Sequence, residues 1–284
     1  MNTRRVGRVG LYVFAVSAAV FFLIPLYVML VTSLKTLAEI RSGSILSPPS
    51  VPSLRAWGTA WSSACTGIAC IGISPGFWNS IKITIPSVLL SVAIGAINGF
   101  ALSMWRIRGA RLFLGLLLVG TFIPYQIILY PLVKLVSAIG LFSSLPGVVL
   151  VQVVFGLPIV TLLFYGYYGT IPTNILCAAR IDGGGFWSIL WHVILPMSPG
   201  MIAVAVILQF TGVWNDFLFG LIFAGRDHLP MTVQLNNLVN KSYGETEYNV
   251  NMAATVLTAL PTLFIYVLSG RYFVRGISAG ALKG

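Results

Sequence analysis

The chain has 284 residues, of which 57% are apolar and only 8% charged. A soluble surface needs roughly a quarter charged residues, so this composition excludes an ordinary soluble protein and points to an integral membrane protein. The net charge of +11 does not point to nucleic acid, because the cations are spread over short connections with no basic stripe or binding module around them; the cytoplasmic bias of cations in membrane proteins accounts for them.

Arg4, Arg5 and Arg8 precede an apolar run from Val9 to Leu34. A cleaved leader has an apolar core of roughly 7 to 15 residues and a small-residue cleavage site. This run is longer and lacks the site, so residues 1–8 read as a cytoplasmic terminus and 9–34 as a first span. From Lys35 to Trp78 the chain is polar, is broken by Pro48, Pro49, Pro52 and Pro75, and reads as the longest outer loop. Cys65 and Cys70 share it, either as a small disulfide or as two free thiols; the sequence leaves both open.

A second span is expected over 79–104, with Lys82 able to reach water at its outer end. Ser87, Ser91, Gly95, Gly99 and Ser103 recur every fourth residue, which puts small side chains along one helix face where another helix can approach closely. Arg106, Arg108 and Arg111 crowd the short connection that follows, which reads as cytoplasmic. The third span, 112–132, carries Pro124 and Pro131 around Tyr125, Gln126 and Tyr130. Proline frees backbone carbonyls, so Gln126 and Tyr130 are candidates to line a polar pathway. The fourth span, 145–165, is interrupted by Gln152 and Pro158, and the aromatic cluster Phe164, Tyr165, Tyr167 and Tyr168 marks its exit.

Residues 169–197 form a polar interruption with Arg180, Asp182, His192 and the consecutive glycines Gly183 to Gly185, which hydrocarbon would not accept. The spacing predicts a short helix from Pro172 to Ile181, a bend at the glycines, and a second helix from Phe186 to Val193 stopped by Pro196. Its apolar side chains, Ile181, Phe186, Trp187, Leu190 and Trp191, are too many for a solvated loop and are expected to meet protein. An amphipathic loop lying on lipid is the alternative.

The fifth span, 198–223, carries Gln209 near its middle. Asn215 and Asp216 lie about 26 Å along it at 1.5 Å per residue, near the outer edge of the hydrocarbon. An intramembrane carboxylate suggests function, yet at that depth Asp216 can equally reach outer water or hold a helix terminus. The outer loop 225–249 is rich in groups that can bond hydroxyls, among them Asn236, Asn237, Asn240, Lys241, Glu245 and Glu247. The sixth span, 250–274, has Pro261 near its middle and is followed by a tail, 275–284. Six spans put both ends inside, where Arg4, Arg5, Arg8, Arg106, Arg108, Arg111, Arg180, Arg271, Arg275 and Lys283 then gather.

The sequence contains no Gly-x-x-x-x-Gly-Lys-Ser/Thr phosphate loop, and Gly183 to Gly185 are followed by Phe and Trp without a lysine. No His, Cys and carboxylate cluster has metal-ligand spacing, and no nucleophile has a base beside it. The chain is expected to have no catalytic residue, metal or cofactor of its own, so energy must come from a partner or an ion gradient.

The pattern Ala178-Ala179, Gly183, Val193, Leu195 and Pro196 resembles the cytoplasmic coupling loop of binding-protein-dependent ABC importer permeases. The closing stretch from Arg271 to Gly284 is similar to the C-terminus of their maltose-type sugar branch, and Trp214 to Leu218 resembles a recurring pattern there. The resemblance implies an all-α membrane protein with the six-helix type I ABC importer permease fold, both termini cytoplasmic, in the cell membrane. Cys177, Ala178, Ala179, Asp182, Gly183, Leu195 and Pro196 would dock into an ATPase dimer, which would hold the ATP and Mg. Cys177 stands where the family normally has Glu, so no carboxylate is supplied there to pair with a cation on the ATPase. The tail residues Gly276, Lys283 and Gly284 would touch the same ATPase. Gln126, Tyr130, Gln152, Gln209, Asn215 and Asp216 are candidates for the translocation path, and Asn236, Asn237 and Asn240 for contact with an extracytoplasmic sugar-binding protein. A second homologous permease and the lipid bilayer complete the implied partners.

Asn236 to Asn240 and Glu247 to Val250 look most like glucose/mannose-type importers; trehalose, maltose-type oligosaccharides and glycerol phosphate are the alternatives. An ion-driven secondary transporter would need carboxylates near the midplane, and the six acidic residues supply none there. A membrane scaffold without a substrate path is opposed by Gln126, Gln152, Gln209 and the proline-broken spans.

Overall fold

The computed structural model of the protein describes residues 3–67, 69–105, 107–240 and 246–281. Arg106, Lys241, Glu245, Lys283 and Gly284 lie outside the described residues. The helices run α1 (Thr3–Ser33), α2 (Leu37–Ser42), α3 (Arg55–Ser62), α4 (Ser74–Phe100), α5 (Ala110–Phe122), α6 (Tyr125–Ala138), α7 (Leu145–Tyr168), α8 (Thr173–Ile181), α9 (Phe186–Ile189), α10 (Pro199–Trp214), α11 (Leu218–Phe223), α12 (Met231–Val239) and α13 (Tyr248–Ala281). Single π-helical turns, Ala101–Trp105 and Leu190–Ile194, follow α4 and α9. Four helical stretches are long and apolar enough to cross a membrane, and two bent pairs bring the number to as many as six. The chain divides into two compact units, one of residues 1–75 and 234–260, the other of 76–233 and 261–284.

In the first unit, α1 is a continuous apolar helix whose side chains, Phe22 at 73% exposure among them, face outward as lipid-facing groups do. The segment read from sequence as an outer loop contains two helices. Thr36 and Glu39 close a capping box on α2: the Thr36 hydroxyl accepts from the Glu39 N–H at 3.3 Å, and the Glu39 carboxylate accepts from the Thr36 N–H at 3.2 Å. The same carboxylate accepts from the Ser50 N–H at 2.8 Å. Hydrogen bonds from Ser50 first, then Thr36, hold the Glu39 carboxyl below its usual range. Helix α3 buries Ala56 and Ala60, one turn apart, and Trp57 donates its indole N–H to Ser33 at 3.1 Å. Cys65 and Cys70 form a disulfide, which decides between the two states the sequence left open.

In the second unit, the strip of small residues on α4 lies against α7. A Cβ on Gly95 would come within 2.5 Å of Val160 Cγ1, and one on Gly99 within 2.5 Å of Phe164 Cβ. Helix α4 starts at Ser74, earlier than residue 79, because Asn79 and Ser80 are bonding positions inside the helix. Asn79 donates to the carbonyls of Asp227 and Leu229 at 3.1 and 3.2 Å, and the Ser80 hydroxyl accepts from the Met231 N–H at 2.9 Å.

The segment expected as a third span is two helices, α5 and α6, bent by 106°. Pro124 is the cause: it has no N–H to continue α5 and drives Ile123 into an extended conformation, φ −71° and ψ 121°. The expected fifth span is likewise divided. Helix α10 ends at Trp214, and Asp216, two residues before α11, closes the start of that helix, its carboxylate accepting from the N–H groups of Gly220 at 2.9 Å and Phe219 at 3.4 Å.

Candidate functional site

The polar interruption forms an elbow. Helix α8 ends at Ile181, and Gly183 turns the chain at φ +81°, a left-handed conformation that side chains with a Cβ rarely adopt. Gly184 packs so closely that a Cβ there would meet the Ala179 carbonyl oxygen at 2.6 Å and Ile189 at 2.9 Å. Gly185 precedes α9, which with its π-helical turn meets α10 at 93°.

The elbow is anchored from within and bare outside. Leu176, Ile189, Leu190 and Ile194 are buried in one apolar cluster with Phe100 and Phe164. Phe186 packs between Phe100, at 4.9 Å between ring centroids, and Trp105, at 5.3 Å. The Arg180 guanidinium lies over the Trp105 ring at 4.5 Å. Outside, Ile181 is 86% exposed, Trp187 56% and Trp191 59%. Cys177 is a free, exposed thiol. Ala178, Asp182, Gly183 and Pro196 share that exposure, whereas Ala179 and Leu195 are half-buried.

The pathway candidates separate into two groups. Gln152, Gln209, Asn215 and Asp216 line one cavity of about 750 Å³ together with Tyr125, Phe155, Thr211 and Phe219. The Gln209 amide is buried and donates to the Ser91 hydroxyl at 3.2 Å and toward the Gln152 carbonyl at 3.5 Å. Gly156 leaves the space that the Gln209 amide fills. Phe219 forms an aromatic wall, 4.8 Å from Phe155 and 5.3 Å from Tyr125. Gln126 and Tyr130 do not line this cavity. Both are exposed, and the Lys134 ammonium sits 4.7 Å from the Tyr130 ring. Phe155, Thr211 and Phe219 carry no signal in the sequence, since apolar and hydroxyl residues in apolar helices are usually packing groups.

Of the two readings open for Asp216, the structure displays the capping one, and the carboxylate still lines the cavity. Asp216→Ala should leave the Gly220 N–H without its acceptor, a loss of about 1 kcal/mol typical of a helix cap. A lower melting temperature of the purified protein checks this. The candidates for contact with a binding protein lie on and just after α12, not in a loop. Asn240 donates to the Asn236 side chain at 2.8 Å, both exposed on one face, and Asn237 is half-buried. Gly276 falls within α13.

Residues 87–279 match the family described as binding-protein-dependent transport system inner membrane component. A probable ABC transporter permease protein of Pyrococcus horikoshii is 44% identical over 188 residues, 66% of this chain and 68% of its own length. The xylose/arabinose import permease protein of Haloferax volcanii is 31% identical over 99% of this chain and 94% of its own length. The glucose import system permease protein of Saccharolobus solfataricus is 29% identical over 94% of this chain and 92% of its own. Among solved structures, a bacterial ABC transporter involved in the import of the acidic polysaccharide alginate superposes with a TM-score of 0.77 at 21% identity, covering 95% of this chain and 98% of that one. Likeness at that level of identity establishes a shared fold. A chain whose described residues are mostly helical, with up to six apolar spans and this match over most of its length, belongs to the family of inner membrane permease components of binding-protein-dependent ABC transporters.

Proposed function

We propose that the chain is one transmembrane subunit of an ATP-driven sugar importer, working with a second, homologous permease, an ATPase dimer and an extracytoplasmic binding protein. The observation that carries this reading is the elbow, with apolar anchors buried in the bundle and Ile181, Trp187 and Trp191 bare outside. Exposed aromatics rigidly backed in this way fit a groove in a partner protein. With Cys177 in place of the family's Glu, the grip rests on this apolar face instead of an ion pair. Closure of the ATPase on its nucleotide would then move α8 and α9 as a rigid piece and tilt the helices joined to them. The tail at Gly276, Lys283 and Gly284 extends the same contact. ATP and Mg belong to the ATPase.

The disulfide supports the orientation. A Cys65–Cys70 bridge persists in an oxidising compartment, which favours a reading with the segment 35–73 outside, the elbow inside and both termini in the cytoplasm. Sugar as cargo is supported by two features. The cavity combines three amide side chains, Gln152, Gln209 and Asn215, with an aromatic wall, and sugars are bound by hydrogen bonds to hydroxyls and by apolar contact with ring faces. The relatives carry names such as xylose/arabinose and glucose import. A glucose/mannose-type sugar is our first choice, with trehalose, maltose-type oligosaccharides and glycerol phosphate as the others.

The test is ATPase activity of the reconstituted complex, with binding protein loaded from a panel of sugars. Stimulation by glucose or mannose above pentoses and disaccharides is the expected outcome. Equal activity with every sugar, or ion-driven uptake by the chain without an ATPase, would contradict the reading.

A further inference from the structure

A lysine at the end of an apolar helix ordinarily extends its ammonium to water. Lys35, just past the end of α1, stays buried instead, at 4% exposure. Its ammonium donates to the Ser44 carbonyl at 2.9 Å and the Ser47 hydroxyl at 3.2 Å. Both acceptors are neutral, Lys35 makes no ion pair among the described residues, and an ammonium has a third N–H to give. The loop that holds it is folded back along α1, because the Tyr27 hydroxyl donates to the Leu46 carbonyl at 3.1 Å. Tyr27 precedes the last residue of α1 by about 9 Å at 1.5 Å per residue, so the loop reaches down beside the apolar span. Lys35 and Ser44 both line one cavity of about 310 Å³ within the first unit, where the end of α1 meets the start of α13. Along α1 the lining passes from Val28 to Thr32 to Lys35, from apolar to hydroxyl to cation, and Ile45 and Met252 complete its apolar part. Ile24 and Phe21, on the same helix face as Val28, are exposed, so the apolar wall continues down the outside of α1.

We propose that this cavity is a phospholipid site, with the phosphodiester headgroup held by the Lys35 ammonium and an acyl chain resting on Val28, Ile24 and Phe21. The order of groups along α1 is the order met on passing from the acyl region of a bilayer to its headgroups. The cation is kept beside the apolar span and away from water, so the anion it suits is one that the bilayer carries. A phosphate oxygen accepting the third N–H would form a charge-assisted hydrogen bond, stronger than those to the two neutral acceptors. A volume of about 310 Å³ is at the small end of ligand cavities; it suits a headgroup and the start of one chain, the remainder lying on the exposed face of α1. The site needs only that the chain crosses a bilayer, and it is the same for any cargo.

Native mass spectrometry of the complete complex in detergent, titrated with phosphatidylglycerol, tests this by counting the lipids retained. The wild type should keep one lipid on this chain that a diacylglycerol with the same acyl chains does not replace. Lys35→Met should weaken its retention about tenfold, and Lys35→Arg, which keeps the charge, should restore most of it. Val28→Trp, at a half-buried position, fills the apolar part of the cavity and should also lose the lipid, while Lys35 keeps its bonds to the loop; it tests the site even where Lys35→Met disturbs that loop. Wild-type retention by either Lys35→Met or Val28→Trp would overturn the site, as would equal retention of diacylglycerol. Displacement of the lipid by glycerol 3-phosphate would make the occupant a soluble phosphate. Loss of the second permease from Val28→Trp with the lipid count unchanged would make that subunit the occupant, and either result overturns the lipid.

Discussion

Ile181→Glu is expected to abolish copurification of the ATPase while the membrane bundle stays folded. The side chain stands 86% exposed at the end of α8, beside the exposed Trp187 and Trp191. Seating an isoleucine in a partner's groove contributes about 2 kcal/mol. Leaving an unpaired carboxylate there instead costs several kcal/mol more, so association should fall by about a hundredfold or further. Nothing inside this chain depends on the side chain, so the melting temperature should stay within about 2 °C. Leu176→Ala gives the opposite pattern. Leu176 is buried beneath the same helix, so its loss should destabilise by about 2 to 5 kcal/mol through the cavity it leaves. Affinity pulldown and thermal unfolding of both variants separate the two effects; an Ile181→Glu chain that retains the ATPase would show that the exposed face is not the contact.

The largest effect on folding is expected at Gly99. A Cβ there would lie 2.5 Å from Phe164 Cβ, 2.8 Å from the Tyr165 nitrogen and 2.9 Å from the Phe164 carbonyl carbon. Two of the three obstacles are backbone, which cannot rotate away. Gly99→Leu should force α4 and α7 apart at the crossing where helices in lipid gain most from close approach. Overpacking costs about 1 to 3 kcal/mol where a core can shift, and more where it cannot. Gly99→Leu should therefore yield little folded protein by size-exclusion chromatography in detergent. Gly10→Leu on α1, where an added Cβ meets nothing within 4 Å, is the matched control and should express normally.

The contrast between these two glycines was legible in the sequence only as a pattern. Ser87, Ser91, Gly95 and Gly99 repeat at helical spacing, and that repeat identifies a face; it does not name the partner, which the structure shows to be α7 through Val160 and Phe164. The elbow was legible for a related reason. Three consecutive glycines flanked by Arg180, Asp182 and His192 do not suit an apolar span, so together they mark its break. The cavity was legible only in part. Gln152 and Gln209 stand out as amides in apolar helices, while Phe155 and Phe219 become cavity walls through the meeting of α7 and α11, elements distant in sequence. Gln126 and Tyr130 illustrate the converse: polar groups near a proline are suggestive in one dimension, but both are exposed and the cavity wall takes the neighbouring Tyr125 instead. Asp216 looked equally like a functional carboxylate and a cap. Its hydrogen bond with Gly220 depends on where α10 stops, which no periodicity reveals.

The mechanism depends on the elbow meeting the ATPase. A photoreactive amino acid at Trp187, in the assembled complex in nanodiscs, tests that contact in one step. A crosslink to the nucleotide-hydrolysing subunit, changing in yield between nucleotide-free and ATP-bound states, is the expected result. Crosslinks to lipid, or to the extracytoplasmic binding protein, would contradict it.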